Sequence, residues 1–168
     1  YQPKDLGKGT SVRTAIKHIS GDYAIIQDAD LEYDPRDYYR LLRVVTENSA
    51  QVVYGSRFMG KKVSWFSVSQ MGRKLLAGIF WLLYGVYLSD PLTCYKLAKA
   101  EIWKTIKLKS PGFDFDYELT TKLSKRGYKI YEVPISYRPR SLKEGKKLKW
   151  WKDGFLSLYC ILKYRFMD

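Results

Sequence analysis

Short apolar runs alternate with longer stretches in which apolar residues recur every three or four positions, and this alternation organises the first third of the chain. Val12, Ala15, Ile16 and Ile19 are spaced by three, one and three, which makes one face of a helix with Thr10 as N-cap and Gly21 beyond its end. Tyr23 to Gln27 reads as a buried strand. Asp34 caps a helix that opens with Pro35 at its first position and carries the stripe Tyr38, Leu41, Leu42 and Val45. Gln51 to Tyr54 is the next strand. Strands of this length alternating with helices of about ten residues or more spell βαβ units on a mostly parallel sheet, so the expected class is α/β. In such sheets ligands bind at the carboxyl ends of the strands, where Asp28, Asp30 and Gly55-Ser56-Arg57 fall.

The second half changes rhythm. A helix from about Ser69 to Tyr87 is apolar nearly all round, through Leu75, Leu76, Ile79, Phe80, Leu82, Leu83 and Tyr84. Its apolar stretch, Leu75 to Leu88, is about 14 residues against the roughly 20 that span a bilayer, so no transmembrane helix is expected here. A short strand follows near Thr93 to Leu97, then a helix from about Phe115 to Lys125, then the strand Lys129 to Val133. Pro134 and Pro139 bracket an extended, edge-like segment. Arg138 to Lys152 holds seven basic residues and one acidic one. The final helix places Trp151, Phe155, Leu158, Leu162 and Phe166 at spacings of four, three, four and four, an amphipathic helix with a basic entry.

The chain has 168 residues, enough for one domain with a sizeable core and too few for two. Lysine and arginine number 30 against 17 acidic residues, and the net charge of +13 calls for an anionic partner. Abundant Tyr and Trp beside lysine are compatible with base stacking, but no nucleic-acid motif is present, so nucleic acid is not the expected partner. Cys94 and Cys160 are far apart, without CxxC spacing or a secretory signal, and are expected to be reduced thiols.

Asp28-Ala29-Asp30 carries the most chemistry. Two carboxylates one residue apart at a strand end suit Mg²⁺ or Mn²⁺, which bind through one or two carboxylates plus substrate phosphates. The plainer reading has Asp28 ending a strand and Asp34 capping a helix.

Taken in order, Gly7-Lys8-Gly9, Gly21-Asp22-Tyr23, Asp28-Ala29-Asp30-Leu31, Asp34-Pro35, Gly55-Ser56-Arg57, Phe113 to Leu119, Glu132-Val133-Pro134-Ile135 and Glu144-Gly145-Lys146-Lys147 resemble one family. It is that of the inverting family-2 glycosyltransferases of the dolichyl-phosphate or polyprenyl-phosphate sugar transferase type. The resemblance implies a partial, Rossmann-like glycosyltransferase A-type fold with flanking helices and a carboxy-terminal amphipathic helix. It also implies a reaction in which a polyprenyl phosphate attacks a nucleotide-bound hexose with inversion.

Two departures qualify it. The Pro-x-Tyr-Asn-Glu-like turn and the Asp-Asp-Gly-Ser strand end of the family are absent, so residues 1–168 match one catalytic domain from about its third strand onward. An amino-terminal half is expected in the full-length chain. Glu32 also stands where lipid-phosphate mannosyltransferases commonly carry Gln.

The resemblance assigns roles residue by residue. Asp28 and Asp30, with Glu32 as a third ligand, hold Mg²⁺ or Mn²⁺. Lys8, Arg140, Lys146 and Lys147 meet the donor diphosphate, although a lysine run is equally a solvated face. Arg57 and Arg73 match the positions that take the acceptor phosphate, where a guanidinium fork suits bidentate capture. Arg73 reads equally as a snorkelling residue. A phosphomonoester is largely dianionic at neutral pH and needs no general base. Asp90 or Asp116 would be the catalytic carboxylate if one is needed; Asp90 before Pro91 also reads as an ordinary turn.

A lipid acceptor together with the basic stretch points to peripheral attachment at the cytoplasmic face of an anionic membrane, each Lys or Arg near the surface contributing about 1 kcal/mol. Two other readings compete. One is a polysaccharide-type glycosyltransferase with a hydroxyl acceptor, for which Asp90 or Asp116 would be indispensable. The other is a non-catalytic basic module that binds membrane.

Overall fold

The computed structural model describes residues 4, 6–59, 68–112, 114–139 and 150–167. Among these, strands β1 (Tyr23–Ile25), β2 (Val52–Ser56), β3 (Lys96–Lys99) and β4 (Ile130–Pro134) form one sheet in the order β1-β3-β2-β4. Helices α1 (Lys8–Ile16), α2 (Tyr38–Asn48), α3 (Val68–Tyr84), α4 (Ala100–Thr105), α5 (Phe115–Lys125) and α6 (Trp150–Phe166) flank it, with one 3₁₀ turn at Pro35–Asp37.

The α/β class stands, but the sheet is more mixed than the expected mostly parallel one. β1, β2 and β4 run the same way, and β2 pairs in parallel with β4, Tyr54 opposite Glu132. β3 runs against them and lies between β1 and β2, with Ala24 and Val52 both opposite Ala98. The reason is the path of the chain. After α3 it re-enters the sheet at the edge from which β2 left, through the segment 89–95, so β3 must point back. β3 begins at Lys96 instead of Thr93 because Thr93 closes a turn onto the Asp90 carbonyl and Tyr95 is still engaged by the Gly55 amide.

Successive strand residues face opposite sides, as the pleat requires. Val52 and Tyr54 belong to a core shared with Phe80 of α3, Trp103 of α4, Phe115 of α5 and Ile161 of α6. Val53 belongs to the other core, with Leu41 of α2, Tyr95 and Val133. The sheet is therefore covered on both faces.

Helices α1 and α2 differ in detail from the sequence pattern, and α5 follows it. α1 begins at Lys8, two residues before Thr10, which is not its N-cap. Asp34 caps as expected, accepting from the Arg36 amide with Pro35 at the first position, and opens the 3₁₀ turn that leads into α2. The buried side of α2 is Tyr38, Leu41, Val44 and Val45, while Leu42 is exposed. α5 matches its expected bounds, and every residue from Phe115 to Leu123 is buried.

α6 is two-sided. Phe155, Leu162 and Phe166 of the expected amphipathic stripe are exposed, and the core is reached by Ser157, Cys160, Ile161 and Tyr164. The side chain of Trp151 lies outside the described residues. α3 likewise buries Ala77 and Phe80 and exposes Met71, Leu75, Trp81 and Leu82. No helix among the described residues is long and apolar enough to cross a membrane. Cys94 and Cys160 are both buried free thiols.

Candidate active site

The glycines at the head of α1 have a steric cause. A Cβ on Gly9 would fall 2.1 Å from the Ser110 carbonyl oxygen, and one on Gly7, whose φ is +85°, would fall 2.4 Å from that of Pro111. Only glycine lets α1 start this close to the 110–111 loop. Arg13 fastens the contact, donating to the Lys109 and Ser110 carbonyls at 2.8 Å each and to Thr10 Oγ1 at 3.0 Å.

Lys8 is thereby aimed under the sheet edge. Its Nζ donates to Asp28 Oδ2 at 3.3 Å and lies 3.6 Å from Asp116 Oδ2. Burial disfavours the ammonium, but Asp116, Cys94 and Asp28 outweigh it and hold the Lys8 pKa above its ordinary value. The other oxygen of Asp116 accepts from Lys96 Nζ at 2.6 Å, and this pair is almost wholly buried. Lys96 also donates to the Thr93 carbonyl and lies 5.0 Å from the centroid of the Tyr54 ring. Burial lowers its pKa against the pull of Asp116. A pocket of about 450 Å³ opens beside this group between α1 and β1, with Lys8 and Asp28 at its polar end and Val12, Ile16, Ile26 and Trp103 along its walls.

The metal-type motif occupies the loop after β1. Asp30 Oδ1 accepts from the Glu32 amide at 3.2 Å, a tight Asx turn, and Leu31 between them has φ +60° and is 90% exposed. A leucine in the left-handed region is strained by on the order of 1–3 kcal/mol. Glu32 turns toward β4, accepting from Tyr137 Oη at 3.0 Å, and its carbonyl takes the Arg138 amide. Among the described residues no three Asp, Glu, His or Cys side chains gather closely enough to hold a metal unaided. A hard divalent cation held by Asp28 and Asp30 would have to draw its remaining ligands from phosphate and water oxygens.

A second polar group sits after β2. Asp90 is wholly buried and receives Arg57 three times: Nε at 2.7 Å and the backbone amide at 3.0 Å on Oδ2, and Nη2 at 2.8 Å on Oδ1. The guanidinium lies 5.2 Å from the Tyr137 ring centroid and 5.3 Å from that of Phe58. Burial opposes the Arg57 charge, but Asp90 outweighs it and raises its pKa. Glu132 on β4 accepts from Ser89 N, Ser89 Oγ and Asp90 N at 2.8, 3.1 and 3.0 Å. Burial raises its pKa against those donors.

Sequence reasoning and structure thus meet unevenly. Asp28, Lys8 and Asp116 come together, and Arg57 and Asp90 form one bidentate pair. Arg73 lies on α3 with its side chain outside the described residues, as do Arg140, Lys146 and Lys147 altogether. Lys96 and Glu132 were given no role by the sequence reading. Their signal was a lone charge between apolar strand neighbours, Tyr95 and Leu97 or Tyr131 and Val133, which burial tolerates only with a partner.

The glycosyl transferase family 2 model matches residues 1–103, which take in Lys8, the Asp28–Asp30 loop, Arg57, Asp90 and Lys96. The chain belongs to glycosyl transferase family 2. It is 30% identical over 158 residues to glycosyltransferase AglJ of Haloferax volcanii, covering 91% of this chain and 52% of that protein. It is 32% identical over 134 residues to the undecaprenyl-phosphate mannosyltransferase of Micrococcus luteus, covering 74% of this chain and 53% of that one. The chain spans about half the length of these two relatives. The same fold occurs in glucosyl-3-phosphoglycerate synthase of Mycobacterium tuberculosis, solved with Mn²⁺, UDP-glucose and phosphoglyceric acid. There the TM-score is 0.66 at 19% identity, over 99% of this chain and 57% of the synthase.

Proposed function

We propose that this family 2 chain supplies the catalytic domain, from about its third strand onward, of an enzyme that moves a hexose from a nucleotide sugar to a polyprenyl phosphate with inversion. The observation that carries the reading is that two complementary groups lie at the same end of the sheet, where β1 and β2 finish. Asp28 and Lys8 lie past the end of β1, Arg57 lies past the end of β2, and Glu32, Tyr137 and Arg57 link them. One group suits a metal-bound diphosphate, the other an incoming phosphate. The named activity of the Micrococcus luteus relative and the Mn²⁺ and UDP-glucose bound by the synthase support the assignment.

In this mechanism Asp28 and Asp30 hold Mg²⁺ or Mn²⁺, which when bound neutralises the leaving diphosphate. Lys8 adds a fixed positive charge beside it, and its two carboxylate neighbours keep it charged. Arg57 receives the acceptor phosphate, itself already the nucleophile, and orients it toward the sugar. Asp90 and Asp116 are buried and engaged by Arg57, Lys96 and Lys8, which disfavours either as the exposed base that a hydroxyl acceptor would require. The apolar outer faces of α3 and α6, with Lys74 and Arg165 exposed beside them, support a peripheral seat at the cytoplasmic face of an anionic membrane.

The test is Mn²⁺-dependent transfer by the full-length protein from radiolabelled UDP- and GDP-hexoses to undecaprenyl phosphate. Asp30→Asn is expected to lower the rate at least 100-fold, and Asp90→Asn to leave the acid limb of the pH profile in place. Transfer only to hydroxyl acceptors, abolished by Asp90→Asn, would overturn the lipid-phosphate reading.

A further inference from the structure

Glu132 spends three hydrogen bonds on one short stretch, the two amides of Ser89 and Asp90 and the Ser89 hydroxyl. A carboxylate inside a strand with no partner on its own or a neighbouring strand is an expensive way to hold a loop unless that loop must be held in one position. The stretch has two further attachments. Ser89 Oγ lies 2.6 Å from Ser56 Oγ, which in turn accepts from the Phe58 and Met59 amides at 3.2 and 3.0 Å and so shapes the turn that carries Arg57. Asp90 grips the Arg57 amide, Nε and Nη2. Glu132 is therefore joined to Arg57 along two routes, one through Asp90 and one through Ser89 and Ser56.

The fork is oriented as a result. Asp90 occupies the Nε and Nη2 side of the guanidinium, and the rings of Tyr137 and Phe58 limit its tilt. What Asp90 leaves over is the Nη1 side, the part of a guanidinium that can still grip an anion.

We infer that Glu132 is a positioning residue for the acceptor phosphate: through Ser89 and Asp90 it fixes Arg57 with its Nη1 side turned to the anion. The inference rests on the reading of Arg57 as the acceptor-phosphate residue. Asp90 then acts through Arg57 and not on the attacking oxygen.

The experiment uses the full-length protein, farnesyl phosphate as acceptor probe and a UDP- or GDP-hexose donor, with kcat and both KM values measured for Glu132→Gln, Arg57→Lys and the pair combined. Glu132→Gln keeps the size but turns an NH₂ toward one of the two amides. It is expected to raise the farnesyl phosphate KM about tenfold and change kcat and the donor KM less than twofold. In the Arg57→Lys background it should add nothing, because residues that act as a unit are not additive. Additive losses, or donor and acceptor KM rising together, would show a merely structural role and overturn the inference. Should Glu132→Gln fail to fold, Ser89→Ala removes one of the three contacts; an unchanged acceptor KM there overturns the inference equally. If the unaltered protein is inhibited by inorganic phosphate but does not use farnesyl phosphate, the lipid reading falls while the same cycle, read from the phosphate inhibition constant, still decides the role of Glu132.

Discussion

Helices α5 and α6 pack against each other and reverse the usual rule of what lies inside. α5 buries Asp116, Glu118, Thr120, Thr121 and Lys122, whereas α6 exposes Phe155, Tyr159, Leu162 and Phe166. The difference lies in partners. Each buried charge on α5 is matched: Glu118 takes the amides of Lys109 and Ser110 and the ammonium of Lys122, and Asp116 takes Lys96. On α6 the apolar residues at positions 155, 159, 162 and 166 form a stripe that no described residue covers, while Ile161 and Tyr164 face the core. A periodic pattern therefore gives the axis of a helix and its phase but not which side is inside. That is decided by whether polar atoms find partners and whether apolar atoms find neighbours.

The comparison can be broken most sharply at Glu118. Replacing it with Ala leaves the buried Lys122 ammonium without its carboxylate and strands two loop amides, and is expected to destabilise by about 3–5 kcal/mol, read from urea unfolding. The same residue gives a pH signature. Burial alone would raise its pKa, but Lys122 and the Ser110 and Lys109 amides outweigh it and lower the pKa in the folded state. Its contribution is thus fully present above the unfolded value, about 4.3, and is lost as pH falls through the lower folded value. The stability gap between the unaltered protein and Glu118→Gln should be flat above the unfolded value and narrow as the pH falls from there through the folded one.

On α6 the core side is expected to respond next. Ile161→Ala should cost about 2–5 kcal/mol in the same unfolding experiment, because Ile161 is fully buried. The outer face should scarcely register. Phe155→Ser with Phe166→Ser is expected to change stability by less than about 0.5 kcal/mol yet to weaken sedimentation with anionic vesicles about tenfold. A large loss of stability from that pair would mean that protein, not lipid, covers the stripe.

Much of the architecture was legible because it follows from local rules. The Asp34-Pro35 start and the bounds of α5 were readable as a cap and as an apolar period ending in basic residues. The place of β3 was not, since Lys96–Lys99 looks like any short strand and its insertion between β1 and β2 depends on long-range pairing. The site divides the same way. Asp28, Asp30 and Arg57 announce themselves at strand ends, and Lys8 sits between two glycines whose reason is the 110–111 loop, about a hundred residues away. Glu132 and Lys96 escaped because their partners are brought together only by the sheet.

The insertion of β3 also sets an order of assembly. β1 and β2 leave the ribosome long before Lys96–Lys99, and neither can close the sheet onto the other without it. The loop bearing Asp28 must wait on a contact some seventy residues downstream, which makes the aspartate loop a late-maturing part of the molecule, its geometry settled by the slow, non-local step of folding.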